Sequence, residues 1–123
     1  MSDNQTKLGV APNVGALLCY VPCCVGLIFS IVAVIVEKEN KFVRFHAFQS
    51  LLICGAGFVT VFAVVVASVV FGMVSGGLGM LISLVNYPLL AAWMLVLIFM
   101  MVKAHNNEEY KLPVIGDMAS QWV

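Results

Sequence analysis

Formal charge is absent from two long stretches of this 123-residue chain. No Asp, Glu, Lys or Arg occurs between Lys7 and Glu37, or between Arg44 and Lys103. The chain is 63% hydrophobic and only 10% charged, whereas about 25% of residues are charged in a typical soluble domain. Soluble globules, disordered chains and nucleic-acid-binding proteins all need charge over their surface or in a basic patch, so this distribution excludes these classes. The chain is predicted to be an integral membrane protein.

The uncharged stretches predict three membrane-spanning helices. Residues 14–36 would form a helix of about 34 Å, enough to cross a hydrocarbon core of about 30 Å. The second stretch is too long for one crossing, and the glycine-rich run at 72–78 is typical of a turn. Dividing the stretch there leaves spans at 47–71 and 79–102. We therefore predict an all-α, integral membrane three-helix bundle, with a polar N-terminal tail (1–13), a transmembrane domain (14–102) and a C-terminal tail (103–123).

Basic residues predict the orientation of these spans. In the three-span arrangement Lys7 lies on one side of the membrane, and the other five basic residues lie on the opposite side: Lys38, Lys41, Arg44, Lys103 and Lys111. The positive-inside rule then places the charged loop and the C-terminus in the cytoplasm and the N-terminus outside. We expect a bacterial cytoplasmic membrane. Pro22 offers an alternative in which the first segment splits into a re-entrant pair, but proline kinks are common within spanning helices.

Small and polar residues in the spans predict where the helices pack, because helices in lipid associate through close contact and hydrogen bonds. The candidate packing residues are Ser50, Cys54, Gly57, Ser83 and Asn86. Asn86 is the most informative, since an amide inside a span costs free energy unless a neighbouring helix or a water pairs with it. We expect it to form a hydrogen bond between helices.

Cysteine and histidine residues raise the question of a metal or a cofactor. The four cysteines are Cys19, Cys23, Cys24 and Cys54; tetrahedral zinc needs four ligands, and buried free cysteine behaves as a small apolar residue. We therefore expect packing roles and no metal site. His46 and His105 would suit axial ligation of a haem or a chlorin, but the favoured interpretation is no cofactor, with both histidines hydrogen-bonded to headgroups or loop carbonyls.

The charged loop and the tail carry most of the chemically versatile residues. The tail is too polar to span, and Val114 or Ile115, Met118 and Trp122 follow one side of a helix near Pro113, which predicts an interfacial amphipathic helix. Glu108 and Glu109 are placed to pair with Lys41 and Arg44. We predict a cytoplasmic contact surface for partner proteins, made of Lys38, Lys41, Phe42, Arg44, Phe45, His46, Gln49, Lys111, Pro113 and Asp117.

Two sequence blocks carry a family resemblance. The first runs from Glu37 to Ser50 (EKENKFVRFHAFQS), preceded by Leu18-Cys19-Tyr20, and the second runs from Tyr110 to Asp117 (YKLPVIGD). These blocks resemble the small bacterial membrane proteins related to the Tic-twenty subunit of the chloroplast inner-envelope translocon. The resemblance implies a place in a protein-translocation complex, although the plant members are larger and have four predicted helices.

Three functions follow as hypotheses. The leading one is a non-enzymatic assembly or accessory subunit of a larger membrane complex, whose partners are the lipid bilayer and other membrane subunits or further copies of itself, with no nucleic acid. The resemblance implies an alternative, a component of a protein-translocation or transport complex. The two histidines suggest a cofactor-carrying subunit of an electron-transfer or photosynthetic complex. Enzyme activity is not expected, because the sequence has no Ser/His/Asp set, paired buried carboxylates or phosphate-binding loop.

Overall fold

The computed structural model describes residues 6–22 and 24–123. Within these ranges the chain is helical and contains no strand, which confirms the all-α prediction. The helices are α1 (Pro12–Cys19), α2 (Cys24–Val36), α3 (Lys41–Val74), α4 (Gly76–Ser83), α5 (Asn86–His105) and α6 (Ile115–Trp122). The arrangement is not the predicted three-helix bundle.

The first predicted span, residues 14–36, is wrong because the segment forms two short helices, α1 and α2, which pack against each other. Pro22 lies between them. Proline has no N–H to donate, and its ring would clash with the carbonyl four residues earlier if the helix continued. The chain instead closes a tight turn, in which the N–H groups of Tyr20 and Val21 donate to the carbonyls of Leu17 and Leu18. The 13 residues of α2 extend about 20 Å, short of a core of about 30 Å.

Two stretches are long and apolar enough to cross a membrane: Lys41–Val74, with 34 residues, and Gly76–His105, with 30 residues. They contain the predicted spans at 47–71 and 79–102, and the turn between them is a single residue, Ser75. The second stretch is interrupted between α4 and α5 at Leu84 and Val85. Pro88 explains this interruption, because its ring clashes with a helical carbonyl at Leu84.

Residues 55–95 form one compact unit and contain no charged residue. Helices α3 and α4 approach closely at Gly79, where a Cβ atom would lie 2.7 Å from the Cα of Gly72. Farther along, the indole Nε1 of Trp93 donates to the Thr60 hydroxyl at 3.0 Å. Many large apolar side chains on this unit are exposed, as expected for surfaces that face lipid.

The second compact unit comprises residues up to Cys54 together with Val96–Val123. It contains α1, α2, the charged loop, the start of α3, the end of α5 and the tail. Asn13 donates to the carbonyl of His105 at 3.2 Å, and the main-chain N–H of Leu8 donates to the Glu37 carboxylate at 3.0 Å. The segment that leads into α1 therefore lies beside the end of α5. We call this unit the polar end.

Candidate functional site

Three fully buried polar side chains form the centre of the polar end: Tyr20, His46 and Gln49 are each 0% exposed. Helix α3 begins at Lys41, and the side chain of Asn40 accepts a hydrogen bond from the N–H of Val43, as in a helix N-cap. His46 and Gln49 are three residues apart and thus share one face of α3. Tyr20 reaches this face from the end of α1, where Pro22 turns the chain.

Gln49 connects the buried centre to the C-terminal tail. Its Nε2 donates to the carbonyl of Tyr110 at 3.0 Å, and its Oε1 accepts from the N–H of Leu112 at 3.0 Å. A carbonyl can only accept and a main-chain N–H can only donate, so these two groups determine the orientation of the amide. Nε2 also donates to the Tyr20 hydroxyl oxygen at 2.9 Å. One side chain thereby joins α1, α3 and the tail.

The tautomer of His46 follows from this chain of hydrogen bonds. The Tyr20 oxygen accepts from Gln49, and Nδ1 of His46, 2.8 Å away, is the hydrogen-bond partner among the described residues that can accept the Tyr20 hydrogen. Burial raises the pKa of Tyr20 above its ordinary value, which keeps that hydrogen in place. Nδ1 is then an acceptor, and the neutral ring carries its hydrogen on Nε2. Nε2 is buried without a hydrogen-bond partner among the described residues.

The tail lies against this site through main-chain atoms. The carbonyl of Tyr110 and the N–H of Leu112, two residues apart, both bond to the Gln49 amide. Gly116 follows closely, and a Cβ there would lie 2.8 Å from Oε1 of Gln49. Between them Val114 has a φ of 68°, a left-handed conformation that is strained for a β-branched residue.

Other contacts hold the surrounding helices together. The Ser30 hydroxyl is hydrogen-bonded to the Ser50 hydroxyl and donates to the carbonyl of Cys19 at 3.1 Å, which connects α1, α2 and α3. A guanidinium nitrogen of Arg44 donates to the carbonyl of Val34 at 2.6 Å, near the end of α2. Trp122 of α6 packs edge-on against Phe48, with ring centroids 5.8 Å apart.

The predicted contact residues separate into three groups by burial. Phe45, His46 and Gln49 are fully buried, and they cannot meet a partner while the tail is docked. Phe42 and Arg44 are half-buried, and the exposed members are Lys38, Lys41, Lys111, Pro113 and Asp117.

The predicted ionic contact between tail and loop is wrong. Glu108 pairs with Lys103 at 2.8 Å, and Arg44 binds a carbonyl of α2. The tail is instead held by the Gln49 amide.

The predicted packing residues have different environments. Ser50 is buried and bonded to Ser30, Cys54 is half-buried, and a Cβ atom added at Gly57 would lie 3.5 Å from the Trp93 ring. Ser83 binds the carbonyl of Met80 in its own helix, and the Asn86 Oδ1 is buried without a hydrogen-bond partner in the part of the chain that the structure describes.

Sequence reasoning missed Tyr20, Ser30 and the Thr60–Trp93 pair. The available signals were an aromatic residue before Pro22 and a single serine, Ser30, in the first uncharged stretch.

Cysteine and histidine environments complete the description. Cys19 is buried and Cys24 is exposed, whereas Cys23 lies outside the described residues. His105 is exposed and lines a groove of about 330 Å³ together with Leu17, Ile98, Met101 and Val102. Across residues 6–22 and 24–123, no three His, Cys, Asp or Glu side chains are grouped so that they could hold a metal ion.

An uncharged helical hairpin joined to a compact polar end defines a small helical membrane protein. Comparison with known families gives the same class, since residues 4–119 match the family described as the magnetosome magnetite crystal formation protein family. The match covers nearly the whole chain, and the chain belongs to that family. No solved structure matches it.

Similar proteins occur in archaea. A UPF0132 membrane protein of Methanocaldococcus jannaschii is 41% identical over 118 residues, which cover 96% of this chain and 94% of the relative. A second from the same organism is 33% identical and covers 94% of this chain and 72% of the relative. A UPF0132 membrane protein of Archaeoglobus fulgidus is 38% identical and covers 90% of this chain and 94% of the relative.

These matches overturn the resemblance to the Tic-twenty-related proteins, which was wrong. The family description and the names of the similar proteins do not mention that translocon, and the similar proteins are archaeal. The membrane assignment, by contrast, is supported both by the names of the relatives and by the two long apolar stretches.

Proposed function

We propose that this protein is a non-enzymatic membrane module that assembles with other membrane subunits or with further copies of itself. The observation that carries the proposal is that the buried and the exposed polar groups of the polar end have different surroundings. Its versatile buried groups, Tyr20, His46 and Gln49, are bonded to one another and to the tail. Most of its charged residues are exposed, and no charged residue lies in the unit at 55–95.

The exposed cations are the groups best suited to meet a partner. Lys38, Lys41 and Lys111 are exposed and form no salt bridge with the residues that the structure describes, whereas Lys7 lies 3.6 Å from Glu39. A cation without an intramolecular partner can pair with an acidic group on another protein without breaking a salt bridge within its own chain. The contact surface we propose therefore consists of Lys38, Lys41, Lys111, Pro113 and Asp117.

The two-span arrangement changes the proposed orientation. All six basic residues belong to the polar end, and the positive-inside rule favours a cytoplasmic position for an end of this kind. We therefore place both chain ends in the cytoplasm. Protease applied to sealed cells should leave an N-terminal tag intact, and cleavage of that tag from outside would contradict this orientation.

Photocrosslinking tests the assembly. A photoreactive amino acid at Lys41 or Lys111 should capture a protein neighbour in native membranes, because these positions face outward from the polar end. The matched control is the same group at Tyr87, which is 72% exposed on the apolar unit and should react mainly with lipid. Recovery of the uncrosslinked monomer alone from both lysine positions would refute the proposal.

The family description suggests a second candidate, direct action on an iron mineral. The carboxylates available for it are exposed and include Glu39, Glu109 and Asp117. Such a role predicts that the purified protein changes the size of magnetite crystals grown in its presence, and that replacing these three residues with their amides removes the effect. An assembly module without direct action would leave crystal growth unchanged.

A further inference from the structure

Helix α2 has a broad apolar face that no other part of the described chain covers. Six large aliphatic side chains on this face are exposed: Val25, Leu27, Ile28, Ile31, Val32 and Ile35. The buried residues of α2, on its opposite side, are small: Gly26, Ser30 and Ala33. Helices in lipid pack together through small residues. Because α2 already uses its small residues within its own chain, the outward aliphatic face is suited to acyl chains and not to another helix.

Helix α1 runs beside the end of the second spanning stretch. Near the start of α1, Asn13 donates to the carbonyl of His105 at 3.2 Å. Four residues later, Leu17 lines the groove that Ile98 and Val102 also line. The neighbours of α1 therefore lie earlier in α5, and farther inside the spanning stretch, as α1 proceeds. This direction leads from the polar end toward the interior of the membrane.

Helix α2 returns beside the start of the first spanning stretch. Its Ser30 is hydrogen-bonded to Ser50, and four residues later the carbonyl of Val34 accepts from Arg44 at 2.6 Å. Ser50 lies nine residues after Lys41, where α3 begins, or about 14 Å along the helix. That distance is close to half of a hydrocarbon core of about 30 Å.

The segments before α1 and after α2 meet at the polar end. The main-chain N–H of Leu8 donates to the carboxylate of Glu37 at 3.0 Å, and Lys7 lies 3.6 Å from Glu39. A segment whose two ends are in contact has not crossed the membrane. The helices α1 and α2 therefore enter and leave on one side.

The turn at Pro22 is suited to a position within the membrane. The N–H groups of Tyr20 and Val21 bond to carbonyls of α1, and Pro22 has no N–H. The Ser30 hydroxyl bonds to the carbonyl of Cys19 at 3.1 Å. Non-helical backbone is tolerated at membrane depth where the protein itself satisfies its polar groups.

We propose that α1 and α2 form a re-entrant helical pair. The pair enters the membrane from the polar end beside α5, turns at Pro22 and returns beside α3, with the outward face of α2 in contact with lipid acyl chains. The inference is independent of the proposed assembly, because it concerns only the position of this segment in the bilayer.

Spin-label accessibility tests the insertion. A nitroxide attached through p-acetylphenylalanine, which leaves the native cysteines unlabelled, replaces one residue of the full chain in vesicles of phosphatidylcholine and phosphatidylglycerol. Oxygen concentrates in acyl chains and a nickel chelate stays in water, so the ratio of their effects on the label reports its depth. Ile28 and Ile35 are matched positions, because they are 60% and 63% exposed on the same face. Lys38, exposed just beyond α2, is the control in water, and Tyr87, 72% exposed on the apolar unit, is the control in lipid.

The ratio of oxygen to nickel accessibility at position 28 should match that at position 87, and it should fall at position 35 and again at position 38. Seven residues of helix separate positions 28 and 35, so their depths should differ by up to about 10 Å.

Three other results would each overturn the re-entrant pair. Equal ratios at 28 and 35 would mean that α2 lies flat on the membrane surface. Strong nickel accessibility at 28 would mean that the face of α2 meets water. Protection of position 28 from both reagents would mean that protein covers the face, as in contact with a second copy. None of these results affects crosslinking from Lys41 or Lys111, so the re-entrant pair can fail while the proposed assembly function stands.

Discussion

Replacing Gln49 with leucine should release the tail. Leucine has a similar size but cannot form the bonds to Tyr110 and Leu112, which are 3.0 Å each in the native protein. Each such bond contributes about 1 kcal/mol net, and a buried group left unpaired costs about 1–3 kcal/mol. Undocking lets water satisfy both main-chain groups, which limits the loss. We expect the docking free energy of the tail to fall by about 2–3 kcal/mol, or about 30- to 150-fold in the docking equilibrium.

Amide hydrogen exchange measured by mass spectrometry in detergent tests this expectation, because exchange reports local opening free energies. Peptides that cover 110–122 should lose protection by that factor, while peptides from 55–74 should be unaffected. Ser83→Ala is a matched control, because the Ser83 hydroxyl bonds to Met80 in its own helix and to no other residue that the structure describes. Equal exchange of the tail in Gln49→Leu and the native protein would show that the amide does not hold the tail. A uniform loss of protection along the chain would show that Gln49 supports the whole fold instead.

Three further outcomes are expected. Gly116→Ala should also undock α6, because the new Cβ would lie 2.6 Å from the Cα of Lys111. Gly55→Ala, with open space around it, should leave the amide hydrogen exchange of the tail unchanged. Tyr20→Phe should lower unfolding stability by about 1–3 kcal/mol, since it leaves buried groups of His46 and Gln49 unpaired; Tyr87→Phe is the exposed control, and equal thermal midpoints would contradict this. Trp93→Phe removes the bond to Thr60 and should cost about 1 kcal/mol, seen as faster exchange within 55–95 only.

The contact between the tail and the start of α3 could be predicted only in part from the sequence. Charge placement suggested that the tail meets the loop, and the structure brings the tail to the start of α3, but through Gln49 and not through ion pairs. The physical reason is desolvation: a buried ion pair loses hydration that its own attraction scarcely recovers, whereas an amide is fully satisfied by a carbonyl and an N–H. The charged residues that suggested the contact remain exposed.

The division of residues 14–36 into two helices could not be predicted from hydropathy. Counting apolar residues over 14–36 predicts a crossing, because a hydropathy window does not register that Pro22 lacks an N–H. In the structure this single residue divides the segment into α1 and α2 and brings Tyr20 into the buried centre. The number of helices long enough to cross a membrane falls from three to two with it.

The sequence by itself determined that the chain is helical and belongs in a membrane, because the absence of charge over two long stretches leaves few other solutions. It also indicated that the polar chemistry lies outside those stretches. Only the tertiary structure decided which polar groups are buried and what satisfies them. Gln49 bonds to Tyr20, 29 residues away, and to Leu112, 63 residues away. No periodicity along the chain encodes such pairings, because they depend on where packing brings distant main-chain groups together.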